Sequence, residues 1–129
     1  MLTTKNFTRE EAMAIMSVVG GASPADMDVD RRELNFINNL KDLFDITETE
    51  KARFMSMRMD EAGNIISRMS YDKKRLVSSL LTTMVFADGR VHPLEERYLQ
   101  FVASKCGLSI ETDPTLALRI AEDFFSASR

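Results

Sequence analysis

The stretch RLVSSLLTTMVFADGRVHPLEERYLQFVASKCG, residues 75–107, decides the fold. Leu76, Val77, Leu80, Leu81, Met84 and Val85 recur at helical spacing. They make a stripe wide enough for a central helix that touches several neighbours. Asp88 and Gly89 then supply turn residues, and Pro93 stands where a first helical residue belongs, directly after His92. Leu94, Tyr98, Phe101 and Val102 line one face of the helix that follows, and Gly107 after Lys105 and Cys106 stops it. The stretch reads as a helix, a short acidic loop and a second helix.

The layout occurs twice. Shifted by 62 residues, Ala25 and Asp26 meet Ala87 and Asp88, Val29 meets Val91, and Glu33 meets Glu95. Phe36 falls on Tyr98, Ile37 on Leu99, Leu40 on Val102, Ile46 on Leu108 and Thr47 on Ser109, while upstream Ile15 and Val19 fall on Val77 and Leu81. Apolar, acidic and capping positions keep register together, which marks an internal duplication with copies at about 8–47 and 70–109.

Across the first copy and beyond both copies the period is helical as well. Thr8 with Glu11 and Thr47 with Glu50 have capping-box spacing. Behind the first, Ala12, Ile15, Met16 and Val19 share a face; a second helix starts near Asp30, with Leu34, Ile37, Leu40 and Phe44 as its buried stripe. The segment opened by Thr47 carries Phe54, Asp60 to Met69 gives a short helix containing Gly63, and Asp113 before Pro114 opens the last one, anchored by Ile120, Phe124 and Phe125. Period-two alternation is confined to FMSMRM, residues 54–59, and methionine is a poor strand former. GGAS, residues 20–23, is the most flexible-looking spot. The expectation is an all-α, compact single-domain bundle of about seven helices with an internal helix-loop-helix duplication.

Composition narrows the function classes. With 129 residues, 44% of them apolar and 29% charged, the chain fits one soluble domain with a single core. A net charge of −3 argues against nucleic acid as a partner, and the basic run Lys73-Lys74-Arg75 reads as a solvated helix face. No apolar run approaches the ~18–20 residues that span a bilayer, and MLTTKNFTREE lacks a signal-peptide core. No direct membrane insertion and a cytoplasmic location are therefore expected. The single cysteine, Cys106, excludes an internal disulfide framework and reads as a small core residue. Nine methionines read as malleable core filler, with a Met-lined binding groove as the alternative.

The acidic loops carry the chemistry. Asp26, Asp28, Asp30 and Glu33 in one copy, and Asp88 and Glu95 with Glu96 in the other, would be oxygen donors suited to calcium or magnesium if the two loops met across a pseudo-two-fold axis. Clustered carboxylates repel unless cations or protons intervene. Asp26-Asp28-Asp30 has the opening alternation of an EF-hand loop, but Arg31 and Ile37 stand where its glycine and closing glutamate belong. Asp30 with Glu33, and His92 with Glu95, also have N-cap spacing, which would explain those acids by helix capping alone. Capping does not account for Asp26 and Asp88. His92 replaces the acid at Asp30, and as the lone histidine it reads first as a helix cap or a surface residue, with a ligand on one side of the site as the alternative.

LLTTMVFADGRVHPLEERYLQFVASKCGLS, residues 80–109, resembles the signature of the TerB tellurite-resistance family, a helical domain shared with certain DnaJ-like co-chaperones. Ala87, Asp88, Gly89, Val91, Glu95, Gly107 and Leu108 carry the resemblance, with Ala25, Asp26, Asp28, Val29, Asp30 and Glu33 in the first copy; it covers about residues 8–126. His92 and Met27 depart from it, standing where an acid and a glycine are usual. The resemblance implies a duplicated bundle and a divalent-metal site at Asp26, Asp30, Glu33, Asp88 and Glu95. It also implies a binding or scaffolding module that acts with partner proteins in tellurite or other chemical stress.

An enzyme is disfavoured. A nucleophile–base pair would have to join His92 to Cys106, a full helix away, and no phosphate-cradling glycine loop is present. The expected function is thus a non-enzymatic cytoplasmic module with a divalent cation and a protein partner. The alternative is a metal-free helical interaction module.

Overall fold

The computed structural model describes residues 1–21, 31–87, 89 and 93–129. Among these residues the chain forms a 3₁₀ turn at Thr4–Asn6 and seven helices, with no strand. They are α1 (Arg9–Gly21), α2 (Arg31–Leu43), α3 (Glu48–Met55), α4 (Met59–Ser67), α5 (Tyr71–Val85), α6 (Pro93–Cys106) and α7 (Pro114–Ser128).

The helix starts follow from local chemistry. Thr8 and Glu11 exchange backbone and side-chain hydrogen bonds at 2.9 and 3.0 Å, and Thr47 and Glu50 do the same at 3.0 and 3.1 Å. Asp113 accepts from the N–H groups of Thr115 and Leu116, with Pro114 in the first turn. Arg9 clamps the second box to α1: its guanidinium donates to Glu50 at 2.6 and 2.7 Å and to the Phe44 carbonyl at 2.8 Å. Beside that guanidinium the Glu50 carboxyl is lowered to about 2.

The 62-residue offset holds in the backbone. α1 and α5 begin 62 residues apart, and so do α2 and α6. The C-terminal ends match too. Ile46 donates to the Lys41 carbonyl (3.1 Å) and Leu108 to that of Ala103 (3.0 Å), each across a residue with positive φ, Asp45 at 55° and Gly107 at 65°. Both are Schellman closures. Glu11 on α1 and Lys73 on α5, equivalent positions of the repeat, bond to each other at 3.1 Å. Equivalent positions touch only beside the axis that exchanges them, so the pseudo-two-fold passes between these two helices.

The register ends after the second helix. Thr47 caps α3, but its counterpart Ser109 starts no helix; its carbonyl accepts the Ser78 hydroxyl at 2.8 Å, and α7 waits for Asp113. α7 lies on α5 and α2. The exchange carries those contacts to α1 and α6, and there α4 packs, with α3 beside it on α1. The first half therefore fills the place of α7 with two short helices. Gly63 belongs to that arrangement: a Cβ there would lie 2.7 Å from the Lys105 carbonyl, so only glycine lets α4 cross α6 this closely.

The core is continuous across both halves. Every residue from Leu76 to Val85 on α5 is buried, as are Ile15, Met16, Val18 and Val19 on α1, Leu40 and Phe44 from α2, and Phe124 on α7. Phe7, Phe44 and Phe124 form a triangle of ring contacts at 5.8–5.9 Å. Two buried hydroxyls on α5 fix the approach to α7: Ser78 also accepts from the Glu111 N–H (2.7 Å), and Thr82 donates to the Glu111 carbonyl (2.6 Å). Cys106 is fully buried, and burial pushes its thiol up to about 11, a core residue as expected. No helix of the described residues is long and apolar enough to cross a membrane.

Two expected faces differ at their edges. Leu34 was assigned to the buried stripe of α2 and Leu94 and Phe101 to that of α6; they are 45, 52 and 48% exposed. The inward faces keep Ile37, Leu40 and Phe44 on the first helix and Val102 on the second, and read Glu33, Ile37, Leu40 and Phe44, and Glu95, Leu99, Val102 and Cys106. Both have spacings of four, three and four, 62 residues apart.

Candidate functional site

The inward stripes lead directly to the acids. Glu33 is the third residue of α2 and Glu95 the third of α6, and they are only 2 and 4% exposed. Their helices begin directly after positions 30 and 92, where Asp30 and His92 were read as N-caps. Among the seven residues read as metal ligands, Glu33 and Glu95 belong to the described residues; Asp26, Asp28, Asp30, Asp88 and His92 lie outside them. Glu96 is exposed and faces away from the core. Among the described residues no group of three His, Cys, Asp or Glu gathers to hold a metal.

The molecule supplies its own comparison for these glutamates. Glu11 and Glu50 also occupy third helical positions and close capping boxes, yet their side chains remain 17% exposed. Both sit beside cations. Burial pushes the Glu11 carboxyl up, but the Thr8 N–H and the Lys73 ammonium outweigh it and hold the group below the usual range. Glu33 and Glu95 are deeper. A carboxylate is kept that far from water only against hydrogen bonds, a cation or a proton.

The described flanks of the two loops each meet the other copy. Arg32, just past the first loop, lines the same cavity of about 430 Å³ as Phe86 and Ala87, the residues leading into Asp88. Gly21, the last residue before the first loop, lies against the Tyr98 ring of α6. Tyr98 donates to the Val18 carbonyl at 2.7 Å, and burial together with the nearby Cys106 keeps its phenol protonated. Phe36, the counterpart of Tyr98, packs on Phe125 at 5.8 Å. Each copy's second helix thus closes on the other half of the bundle.

Sequence reasoning named Glu33 and Glu95 but missed their depth. The signal was present: each continues an apolar stripe one helical turn toward the N-terminus.

No family model matches the chain, and no curated protein matches it. Among solved structures, it is similar to the crystal structure of a protein of unknown function, PG1108 from Porphyromonas gingivalis W83. That likeness has a TM-score of 0.68 at 21% identity and covers 93% of this chain and 99% of the other. At this identity it shows a shared fold.

Proposed function

We propose that the chain is a non-catalytic, TerB-like helical module that holds a divalent cation between the first turns of α2 and α6 and acts through a protein partner. The observation that carries this reading is the paired burial of Glu33 and Glu95, 62 residues apart and deeper than the molecule's capping glutamates. Their chemistry fits a hard cation: carboxylate oxygens are the donors calcium and magnesium take. Asp26, Asp28, Asp30, Asp88 and His92 would complete the set. A bound cation would supply charge neutralisation and fix the two helix starts relative to each other. The setting implied by the TerB resemblance is tellurite or other chemical stress in the cytoplasm.

The metal-free module is the second reading, favoured by one fact. Glu33 and Glu95 stand in the third helical position, where Glu11 and Glu50 serve as caps.

Thermal melts separate the two. The protein is stripped with EDTA, then melted with calcium, magnesium, manganese or zinc, alongside Glu33→Gln/Glu95→Gln. At ~100 times its dissociation constant a bound cation adds roughly 2.7 kcal/mol. A metal-specific rise in the unmodified protein that disappears in the isosteric variant supports the cation site. Coincident melts in EDTA and in every metal leave the metal-free module.

A further inference from the structure

The FMSMRM segment has no part in the acidic site, and its place in the fold is distinctive. It is the junction where α3 ends at Met55 and α4 begins at Met59. In the second half the corresponding place is filled by one unbroken fifteen-residue helix, α7. At the break the surface opens into a groove of about 570 Å³. Met16, Leu34, Phe54, Met55, Met57 and Met59 line it. Four of the nine methionines are therefore gathered here. Met55 is 71% exposed and Leu34 45%, the same leucine that the apolar stripe of α2 leaves outside the core.

The groove's charge has one sign. Its charged lining residues are Lys41 and Lys51, in a chain of net charge −3. Neither forms an ion pair among the described residues. The geometry points to a docking groove for an amphipathic helix of a partner protein, apolar on the face it inserts and acidic along the edge that meets Lys41 and Lys51. Unbranched thioether side chains re-pack around an inserted apolar face, as helix-in-groove recognition requires. A small apolar acid fits less well. Ligand pockets cover most of their occupant, whereas this groove is open to solvent and Met55 stands largely in water.

This rests on the reading that the chain acts through a protein partner, but not on the cation. The test uses two synthetic helical peptides with leucines at i, i+3, i+4 and i+7, one flanked by glutamates and the other by lysines. Binding is measured by fluorescence anisotropy in EDTA and again in calcium, with methyl-labelled methionine spectra of the full chain. The glutamate peptide is expected to bind at least roughly tenfold tighter, equally with and without calcium. It should shift the methyl signals of Met16, Met55, Met57 and Met59 while leaving buried Met84 in place. Lys41→Glu/Lys51→Glu, changes in side chains without ion pairs among the described residues, should invert the preference to the lysine peptide. Met55→Glu, at a largely exposed position, should weaken both. Equal binding of the two peptides, or a preference that survives the charge reversal, overturns the proposal. A concentration-dependent dimer in sedimentation that Met55→Glu dissolves overturns it too, since the occupant would then be a second copy. Metal-independent melts would remove the cation and leave this result standing.

Discussion

At the scale of single residues, the two Schellman closures are the clearest trace of the repeat, and they are unequal. Gly107 adopts φ 65° without a side chain, while Asp45 adopts φ 55° with one. A left-handed conformation brings Cβ against the following carbonyl, a strain glycine escapes. Asp45→Gly is therefore expected to raise stability by roughly 0.5–1 kcal/mol, about 2–5 °C in a melt. The Asp45 carbonyl that accepts from Arg9 at 3.2 Å is retained in the variant. An unchanged or lower melting temperature would mean that the carboxylate's attraction to Arg9 outweighs the backbone strain. Residue chemistry of this kind was legible in the sequence. Thr8 with Glu11, Thr47 with Glu50, Asp113 with Pro114, and Gly107 as a stop all act within one turn, so local spacing was enough to read them.

At the scale of helices, existence was legible and orientation only in part. Counting apolar residues places Ile37, Leu40, Phe44 and Val102 correctly but turns Leu34, Leu94 and Phe101 inward, where the fold leaves them exposed, and it does not show that Glu33 and Glu95 are buried. An amphipathic pattern gives only the mean direction of a face. A carboxylate's place on it is set by partners far away in sequence. The two short helices on either side of FMSMRM were legible, but nothing local says that α3 and α4 together replace one helix. A prediction at this scale follows from the Glu11–Lys73 pair on the axis between α1 and α5. Because the positions are equivalent, exchanging the residues should rebuild the same contact. Glu11→Lys alone loses a capping box and sets two ammonium groups together, and should cost roughly 1–2 kcal/mol. Adding Lys73→Glu restores the pair and places a glutamate three residues after Ser70, which already caps α5. The double variant should return to within about 0.5 kcal/mol of the parent in urea titrations. A double variant no better than Glu11→Lys would remove the axis from between these residues.

At the scale of the molecule, the two copies are not two domains. The aromatic triangle joins Phe7 and Phe44 of the first half to Phe124 at the other end of the chain. Tyr98 closes on α1, α4 lies between α1 and α6, and α2 reaches α5 and α7. Each half on its own would expose the face its second helix normally covers. Chains near 60 residues bury too little surface to tolerate such a loss. Fragments 1–69 and 70–129 are therefore expected to show no cooperative melt separately. Mixed in equal amounts they should recover helical circular dichroism and a single transition that rises with concentration, as a bimolecular assembly must. Two fragments that each melted cooperatively would make the repeat a pair of independent folding units. The Glu11–Lys73 contact would then be an interface between domains and not part of one core. The same experiment bears on the acids, because Glu33 and Glu95 belong to different fragments. If a cation joins them, calcium or magnesium should lower the concentration at which the halves assemble, and Glu33→Gln in one fragment should abolish that gain.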